Sequence, residues 1–561
     1  MNNFSTGFLV FMSQKDTLQE KHFFMTPGLV KKVLVAILVL SAILRVGWIS
    51  RGDTINDEVY YGFRAVGLMD FNAASEQTTP LEWWDPTPPA WVGFSFHDHP
   101  PLVFVVQHFF IKVFGENNFA LRLPSALFGI ASVYLVFLLG TIIYSPLVGL
   151  VSAGVLSVTL NHVYISRVGM QESYVIFFIL LASYLFLRAV RQKRSFVSTG
   201  IVVGLAFLTK YNSLILILIF GTYLLFFHRV YLKDRKLWLS AAVAVLIFSP
   251  VIIYNLMLYR AVGHFDFQLS YIFGQSPKEW PVAPGKEIGT LLVRAHDFLP
   301  RIIGSNSWLF LVVSAVSLLF LRNAFIAISL VWFLVLLAVI GPSFRFLTIL
   351  SPFLALSTGA LFGKFLERRK YVILLLIPIA TFEIFYTVNN QIAYYPVGPS
   401  PWFSSKVRYE NYNWGNNELA EFFKKEFTGK IPALTFPMKY KFLEDTQESF
   451  MKSDKKKGTM FYPALVVTDV NFDRGAKLWV LDRLQIYHGW PIIDLSTYFS
   501  FLEKNGSDYY SRVGFKNYYF ITSSNIIPDP MFFGLVKGLE PLSIVNPRGE
   551  EAFTVYRKLS R

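Results

Sequence analysis

The strongest constraint on this chain is a series of about eleven apolar runs, each near the length that crosses a bilayer. A helical span needs about 20 mostly apolar residues. The runs fall near 33–50, 124–144, 147–160, 174–187, 196–209, 214–227, 237–258, 307–321, 324–340, 346–365 and 371–388. Only 16% of the 561 residues are charged and 53% are hydrophobic. A soluble domain carries about 25% charged residues. The mean hydropathy of +0.44 agrees. These figures exclude a soluble globular enzyme, a disordered chain and a fibrous protein. The excess of 52 Lys plus Arg over 37 Asp plus Glu gives a net charge of +15. Basic cytoplasmic loops account for that excess, so it does not imply a nucleic-acid partner. The chain has no cysteine, which excludes disulfides, thiolate metal sites and cysteine nucleophiles.

Charge sets the order of crossings. Lys31 and Lys32 precede the first run, which continues through Arg45 and Trp48 to Ser50 with no small-residue cleavage site. That pattern is a retained anchor with its N-terminus in the cytoplasm. Basic clusters at 188–194, 229–236 and 364–370 also belong in the cytoplasm. Crossings between them must then be even in number, which puts Lys210 at an outer turn. The fold expected is a polytopic α-helical membrane protein. Residues 1–388 form its membrane domain, with a long outer first loop at 51–123 and a second at 259–306. Residues 389–561 form an extracytoplasmic α/β domain. In that tail, 416–426 reads as a helix and 464–470, 477–481 and 518–522 as strands. Ser496 reads as the cap of a helix ending at Gly506. Asn546-Pro547-Arg548-Gly549 reads as a hairpin turn between 542–545 and 552–556. In the first loop, 101–114 reads as an amphipathic helix lying on the bilayer.

Ionisable residues at the hydrocarbon boundary carry the functional information. Arg45, Asp57, Glu58, His97, Asp98, His99, Arg122, Glu172, Lys210 and Arg345 all fall at outer loops or outer helix ends. Any one of them could be an interfacial anchor with its charge in water. Six separate segments converging on one side make a site the stronger reading. Cations hold phosphate, with arginine favoured for its planar fork. A carboxylate can take a proton from a hydroxyl. Phosphate leaves readily once its charge is stabilised, without an acid. Together these groups suit sugar transfer from a lipid-linked phosphosugar.

At these residues the chain resembles the protein O-mannosyltransferase and aminoarabinose-transferase superfamily, GT-C glycosyltransferases of the family-39 type. The resemblance runs through Asp57-Glu58-Val59-Tyr60-Tyr61, His99-Pro100-Pro101-Leu102, and the segment Gly115 to Gly129 that includes Phe119-Ala120-Leu121-Arg122-Leu123-Pro124-Ser125. It continues at Ser166-Arg167 through Gln171-Glu172-Ser173, at Leu208-Thr209-Lys210-Tyr211 and at Arg345-Phe346. It covers roughly 33–388 and leaves the tail untouched. The resemblance implies a GT-C fold with about eleven transmembrane helices and a polyprenyl-phosphate-linked sugar donor. It also implies inversion at the anomeric carbon and an acceptor protein, lipid or glycan. It assigns Asp57 as general base and Glu58 as its support. Arg45, His99, Arg122 and Glu172 become substrate-binding residues, and Lys210 and Arg345 become donor-phosphate contacts. The second outer loop is too short for the β-trefoil of the eukaryotic mannosyltransferases, which points to a bacterial or archaeal plasma membrane.

Other signals carry less. Trp83-Trp84-Asp85 opens like an oligosaccharyltransferase signature but continues with Pro86 and lies in the first loop. His97 and His99 with Asp98 resemble a metal set, yet two histidines in one short stretch do not define a site. No cofactor is assigned, and a divalent metal is the one candidate. Pro284-Gly285-Lys286 lacks the first glycine and final hydroxyl of a phosphate loop. The competing class is a transporter or lipid flippase. Such folds show paired halves and midplane charges, whereas here no repeat is evident and the charges sit at outer ends.

Overall fold

The computed structural model describes residues 25–559, except 74–76, 282–288, 394, 456–459 and 473–476. The short sequence Pro284-Gly285-Lys286 lies outside the described residues. A helix stands at every one of the eleven apolar runs. Among the described residues, five helices are long and apolar enough to cross a membrane: Asn118–Ile143, Glu172–Gln192, Arg235–Val262, Phe344–Arg368 and Ile373–Gln391. The other apolar helices are shorter, among them Pro146–Val158, Val197–Phe207, Trp308–Leu319 and Ala324–Ile340.

Their ends follow from local chemistry. Ser145 accepts from the Val148 amide and Pro146 begins the next helix, so the chain reverses after Ile143. Asp234 caps Arg235–Val262 through the Lys236 amide. Where helices touch, small residues let backbones approach. Gly200 and Gly204, four apart, face Arg235–Val262: a Cβ on Gly200 would lie 2.1 Å from the Ser240 carbonyl oxygen. Gly359 and Gly363 likewise seat Ser351–Arg368 on Pro146–Val158, with a Cβ on Gly359 lying 1.9 Å from Ser152 Oγ. The run expected at 346–365 is jointed. Phe344–Leu347 passes through a 3-10 turn at Thr348–Leu350 into Ser351–Arg368.

The loops at 51–123 and 259–306 are more ordered than the sequence suggested. Asp57–Gly67 is a helix, and Leu102–Phe114 is the amphipathic helix expected there. It buries Val103, Phe104, Gln107 and Ile111 while exposing Val105, Phe109 and Val113. The second loop contains the helix Leu291–Ser305, whose Leu291, Leu292 and Leu299 are exposed. Trp83, Trp84, Trp91 and Trp280 pack into one aromatic cluster with Tyr254. Asp85 has a plain structural use: its carboxylate accepts from the amides of Lys441 (2.8 Å) and Phe442 (3.1 Å) and caps the helix Lys441–Asp454.

After residue 415 the chain alternates helices with strands β1 (Lys430–Pro432), β2 (Met460–Tyr462), β3 (Ala464–Thr468), β4 (Ile492–Asp494), β5 (Asn517–Ser523), β6 (Pro541–Val545) and β7 (Glu551–Lys558). β1 and β2 pair in parallel. The other five form one sheet in the order β4-β3-β5-β7-β6. β3 is parallel to β4 and β5, whereas β7 is antiparallel to β5 and β6. Every residue of β3 is buried, as in a strand covered on both faces. Asn416–Phe427 and the hairpin β6–β7 stand where the sequence placed them.

Two readings of this region are corrected. The segment 477–481 is not a strand. Leu478–Asp482 is helical with π-type bonds and runs into Arg483–His488. Its Leu478, Trp479, Val480 and Leu481 are all buried, so the run has no periodicity to tell a strand from a helix. The helix Leu495–Asn505 is capped by Asp494, which takes the Thr497 amide at 2.8 Å, rather than by Ser496; it ends before Gly506 as expected.

This C-terminal region packs directly on the loop at 51–123. Trp479 Nε1 donates to Asn118 Oδ1 at 3.0 Å, and Tyr487 OH donates to the Phe63 carbonyl at 2.6 Å. Gly62 and Gly67 leave room for the Trp479 and Tyr487 rings. His488 clamps the same seam, with Nδ1 2.6 Å from Asp454 and Nε2 3.1 Å from Glu116. Burial lowers its pKa, but the two carboxylates outweigh that and hold it at about 9. A raised pKa stabilises the folded state fully below the unfolded value and loses that effect as pH rises through the folded one. The melting temperature of wild type should therefore exceed that of His488→Leu at about pH 6, and the difference should vanish near about pH 10. A difference that does not change with pH would mean His488 acts by packing alone.

Candidate active site

Three of the expected site residues, Glu172, Lys210 and Arg345, line one cleft, and a fourth, Asp57, pairs with Arg345. Asp57 is the first residue of Asp57–Gly67 and follows Asn56, whose φ of 53° turns the chain into the helix. Glu172 opens Glu172–Gln192. Lys210 is extended between Val197–Phe207 and a 3-10 turn at Tyr211–Leu214. Arg345 follows Gly341, whose φ of 88° ends Ala324–Ile340. The charges alternate: Asp57 pairs with Arg345, the Arg345 guanidinium lies 4.0 Å from Glu172, and Glu172 binds Lys210 Nζ at 2.6 Å. Both cations also lie over the Phe346 ring, at 5.0 Å for Lys210 and 4.9 Å for Arg345. Burial pushes the Asp57 carboxyl up, but Arg345 outweighs it, so its pKa lies below the usual aspartate value.

The cleft itself has two characters. It offers about 320 Å³ of space, part of it open to solvent, with Glu172, Lys210, Arg345 and Asn212 at its polar part. Val175, Ile176, Leu336, Leu337, Ile340 and Ile349 form its apolar wall. It can hold a phosphate against two cations with an aliphatic chain beside it, and Asp57 stands next to the cation pair.

The remaining expected residues lie apart from that cleft. Glu58 is sealed: both its oxygens bind Arg122, at 2.6 and 2.7 Å, and Oε1 also accepts the Gly169 amide. Arg122 is correspondingly spent, because its other N–H groups go to the carbonyls of Ile49, Gly52 and Asp53. Arg45 is fully buried and joins Ser41, the Ser157 and Leu156 carbonyls and His162. The reading of Arg45 and Arg122 as substrate contacts is therefore corrected: Arg122 spends all its donors on Glu58 and backbone, and Arg45 spends Nη1 and Nη2 on backbone and neighbours and is fully buried. Arg167, from the same motif as Glu172, does likewise with the carbonyls of Leu44, Gly47 and Trp48. His99 is closer to the action. Its Nε2 is 3.3 Å from Tyr61 OH, and its charge contributes to the lowering of Asp57.

One residue escaped the sequence, and one set it singled out changes membership, with Asp70 in place of His99 beside His97 and Asp98. Glu410, on the 3-10 helix Lys406–Asn411, accepts from Asn56 Nδ2 at 2.8 Å and lies in the field of Asp57 and Arg345. It comes from far along the chain and no motif marks it. Behind His99, Asp98 accepts two bonds from Arg64 at 2.7 and 2.9 Å, and Asp70 binds His97 through both its amide and Nδ1. Asp70, His97 and Asp98 each bring a donor atom within 4.8 Å of the others, which is metal-ligand spacing. Here the cation already neutralising Asp98 is Arg64. Burial raises the Asp98 carboxyl, but Arg64 overrides it and holds the pKa well below the ordinary range.

Comparison with known proteins was made against this geometry. The family model described as "Dolichyl-phosphate-mannose-protein mannosyltransferase" matches residues 98–254. Two Bacillus subtilis (strain 168) proteins are 29% identical to the chain. "Putative mannosyltransferase YkcB" matches over 223 residues and "Putative mannosyltransferase YycA" over 232. The matches take in 38% and 41% of this chain but only 29% and 31% of those proteins, so the chain spans less than a third of these relatives' length. The crystal structure of ArnT from Cupriavidus metallidurans bound to undecaprenyl phosphate superposes with a TM-score of 0.53. It covers 96% of this chain and 99% of that one at 12% identity, a likeness of fold.

Proposed function

We propose that this chain, a member of the GT-C glycosyltransferase superfamily, transfers a sugar from a polyprenyl-phosphate carrier to an acceptor hydroxyl or amine on the outer face of a membrane. The observation that carries this reading is the cleft with two cations at one part and an aliphatic wall at the other. A soluble nucleotide-sugar needs no such wall, whereas a phosphate on an isoprenoid tail needs both. The fold shared with an ArnT solved bound to undecaprenyl phosphate supports the same donor class.

The reaction follows from the charges. Arg345 and Lys210 hold the donor phosphate and stabilise the negative charge it gains as it leaves. The acceptor oxygen or nitrogen attacks the anomeric carbon from the opposite side, the carbon–oxygen bond to phosphate breaks, and its electron pair leaves with the polyprenyl phosphate. Asp57 takes the acceptor proton. Configuration at the anomeric carbon inverts. Without donor, Arg345 is the partner of Asp57. Once phosphate shares that guanidinium, its hold on Asp57 weakens and the carboxylate becomes a better base. Glu172 keeps Lys210 and Arg345 aligned.

Kinetics with varied donor test the phosphate site. Lys210→Ala and Arg345→Ala should each weaken donor use by about 2–5 kcal/mol, the cost of removing one partner from a buried charged contact. Unchanged kinetics at every donor concentration would take both cations out of the site.

The same reading places residues 389–561 outside the membrane and Lys233 in the cytoplasm. Single cysteines introduced by Lys233→Cys and Asn505→Cys into this cysteine-free chain report the orientation. An impermeant thiol reagent should label the second in intact cells and not the first. The opposite pattern would invert the topology and remove the cleft from the outer face.

A further inference from the structure

No helix fixes the position of Lys210. Val197–Phe207 ends before it, Lys210 itself is extended, and its amide makes only a long bond of 3.4 Å to the Ala206 carbonyl. What holds this segment comes from elsewhere in the chain. The Leu208 carbonyl accepts from the Leu102 amide at 3.0 Å, a contact from the loop at 51–123. Lys210 and Asn212 line the cleft, whereas Tyr211 between them does not. Its hydroxyl donates instead to the carboxylate of Asp266, from the loop at 259–306.

Asp266 is fully buried and makes no ion pair among the described residues. A buried carboxylate without a cation is costly unless hydrogen bonds surround it. Asp266 has them. Oδ1 accepts the Leu269 amide at 2.9 Å and caps Phe267–Ile272. Oδ2 accepts the Tyr211 hydroxyl and Asn255 Nδ2, the latter at 2.9 Å. The Asp266 amide donates back to Asn255 Oδ1 at 2.9 Å. Asn255 stands on Arg235–Val262 and is 5% exposed, so a long helix anchors the acid. The cap uses Oδ1 alone, and Oδ2 is left wholly to Asn255 and Tyr211. The next residue ties the two loops together, because the Phe267 amide donates to the His97 carbonyl at 2.7 Å. Beside His97, Asp98 binds Arg64, which stands on the helix that begins with Asp57.

We infer that Asp266 is a positioning residue for the donor phosphate: through Tyr211 it sets the turn that aims Lys210 into the cleft. The inference rests on the reading of Lys210 as a phosphate contact. The competing role for Tyr211 is packing, since its ring meets Phe248 edge-on at 6.3 Å. Packing needs the ring and not the hydroxyl, so the hydroxyl separates the two roles.

Tyr211→Phe deletes the bond and keeps the ring. Undecaprenyl phosphate titrated into the full-length purified protein reads the phosphate site without the sugar or the acceptor. Tyr211→Phe should raise its Kd about tenfold, the worth of one hydrogen bond to a charged group. Lys210→Ala should raise the Kd too. Adding Tyr211→Phe to Lys210→Ala should cause no further loss, because the tyrosine acts through the lysine. A role in stability alone would leave fewer molecules able to bind, at an unchanged Kd, and one titration returns both quantities. Asp266→Asn, with one acceptor oxygen in place of two, should weaken binding in the same lysine-dependent way, and it carries the test if Tyr211→Phe does not fold. An unchanged Kd in Tyr211→Phe, or a further tenfold loss in the double variant, overturns the positioning role and leaves Lys210 as a phosphate contact. An unchanged Kd in Lys210→Ala would remove the phosphate site itself, and this inference with it.

Discussion

Asp57→Asn should bind the lipid-linked donor and transfer almost nothing. An acceptor hydroxyl has a high pKa and needs a partner for its proton as the new bond forms. A positioned carboxylate supplies that, typically worth about 10²–10⁴-fold. Asparagine keeps the size of the side chain and one acceptor oxygen but cannot take the proton. It also removes the negative partner of Arg345, which frees that cation for the donor phosphate. Donor binding should hold or tighten while turnover collapses, a split that a merely structural role does not produce. Asp57 is also the first residue of a helix, where a carboxylate favours the positive end and asparagine serves nearly as well. Near-normal transfer by Asp57→Asn would leave that helix role and nothing more. The pH profile gives a second reading of the same group. Arg345 holds its pKa below the usual aspartate value, so the acid limb of kcat/KM, which reports the free enzyme, should lie below that value. Arg345→Gln should move the limb upward.

How far the sequence led depends on what each residue's signal was. Charged residues at the ends of apolar runs stand out because hydrocarbon tolerates them poorly, and that brought Asp57, Glu172, Lys210 and Arg345 forward correctly as neighbours. The same signal misplaced Arg45 and Arg122. A guanidinium offers five donors in a fork, and a cluster of backbone carbonyls satisfies it as well as a phosphate does. Only coordinates show that Arg122 spends its donors on Glu58 and three carbonyls. Glu410 was invisible for the opposite reason. It sits in a polar segment where a carboxylate is unremarked, and its position beside Asn56 exists only after the C-terminal region packs on the first loop. The segment 477–481 was misread because Leu478, Trp479, Val480 and Leu481 are all buried, the last two against the sheet region and the first two against Asp57–Gly67. Periodicity reports a boundary between core and solvent, and where no such boundary exists it reports nothing.

Glu58 separates folding from chemistry, and here the structure reverses what the motif implied. As a support for the base, Glu58→Gln would be a mild lesion. In the structure Glu58 and Arg122 are both essentially inaccessible, and their paired oxygens and nitrogens are the centre of a junction. Through Arg122 the pair fixes the carbonyls of Ile49, Gly52 and Asp53, and through Oε1 it fixes the Gly169 amide. Those contacts tie the first helix, the start of the loop at 51–123 and the segment before Glu172 into one frame, on which Asp57 and Glu172 both stand. Removing one member leaves the other as a buried uncompensated charge, at a cost of about 3–5 kcal/mol. That is a large share of the net stability of a folded chain, about 5–15 kcal/mol. Glu58→Gln and Arg122→Met should each lower the melting temperature and the yield of folded protein sharply. The double variant, with no charge left unpaired, should recover part of the loss, and the departure from additivity measures the pairing. Molecules of Glu58→Gln that do fold should keep most of their turnover, because Asp57 and the two cations remain. Full thermal stability combined with abolished transfer in Glu58→Gln would show instead that this carboxylate takes part in the reaction itself.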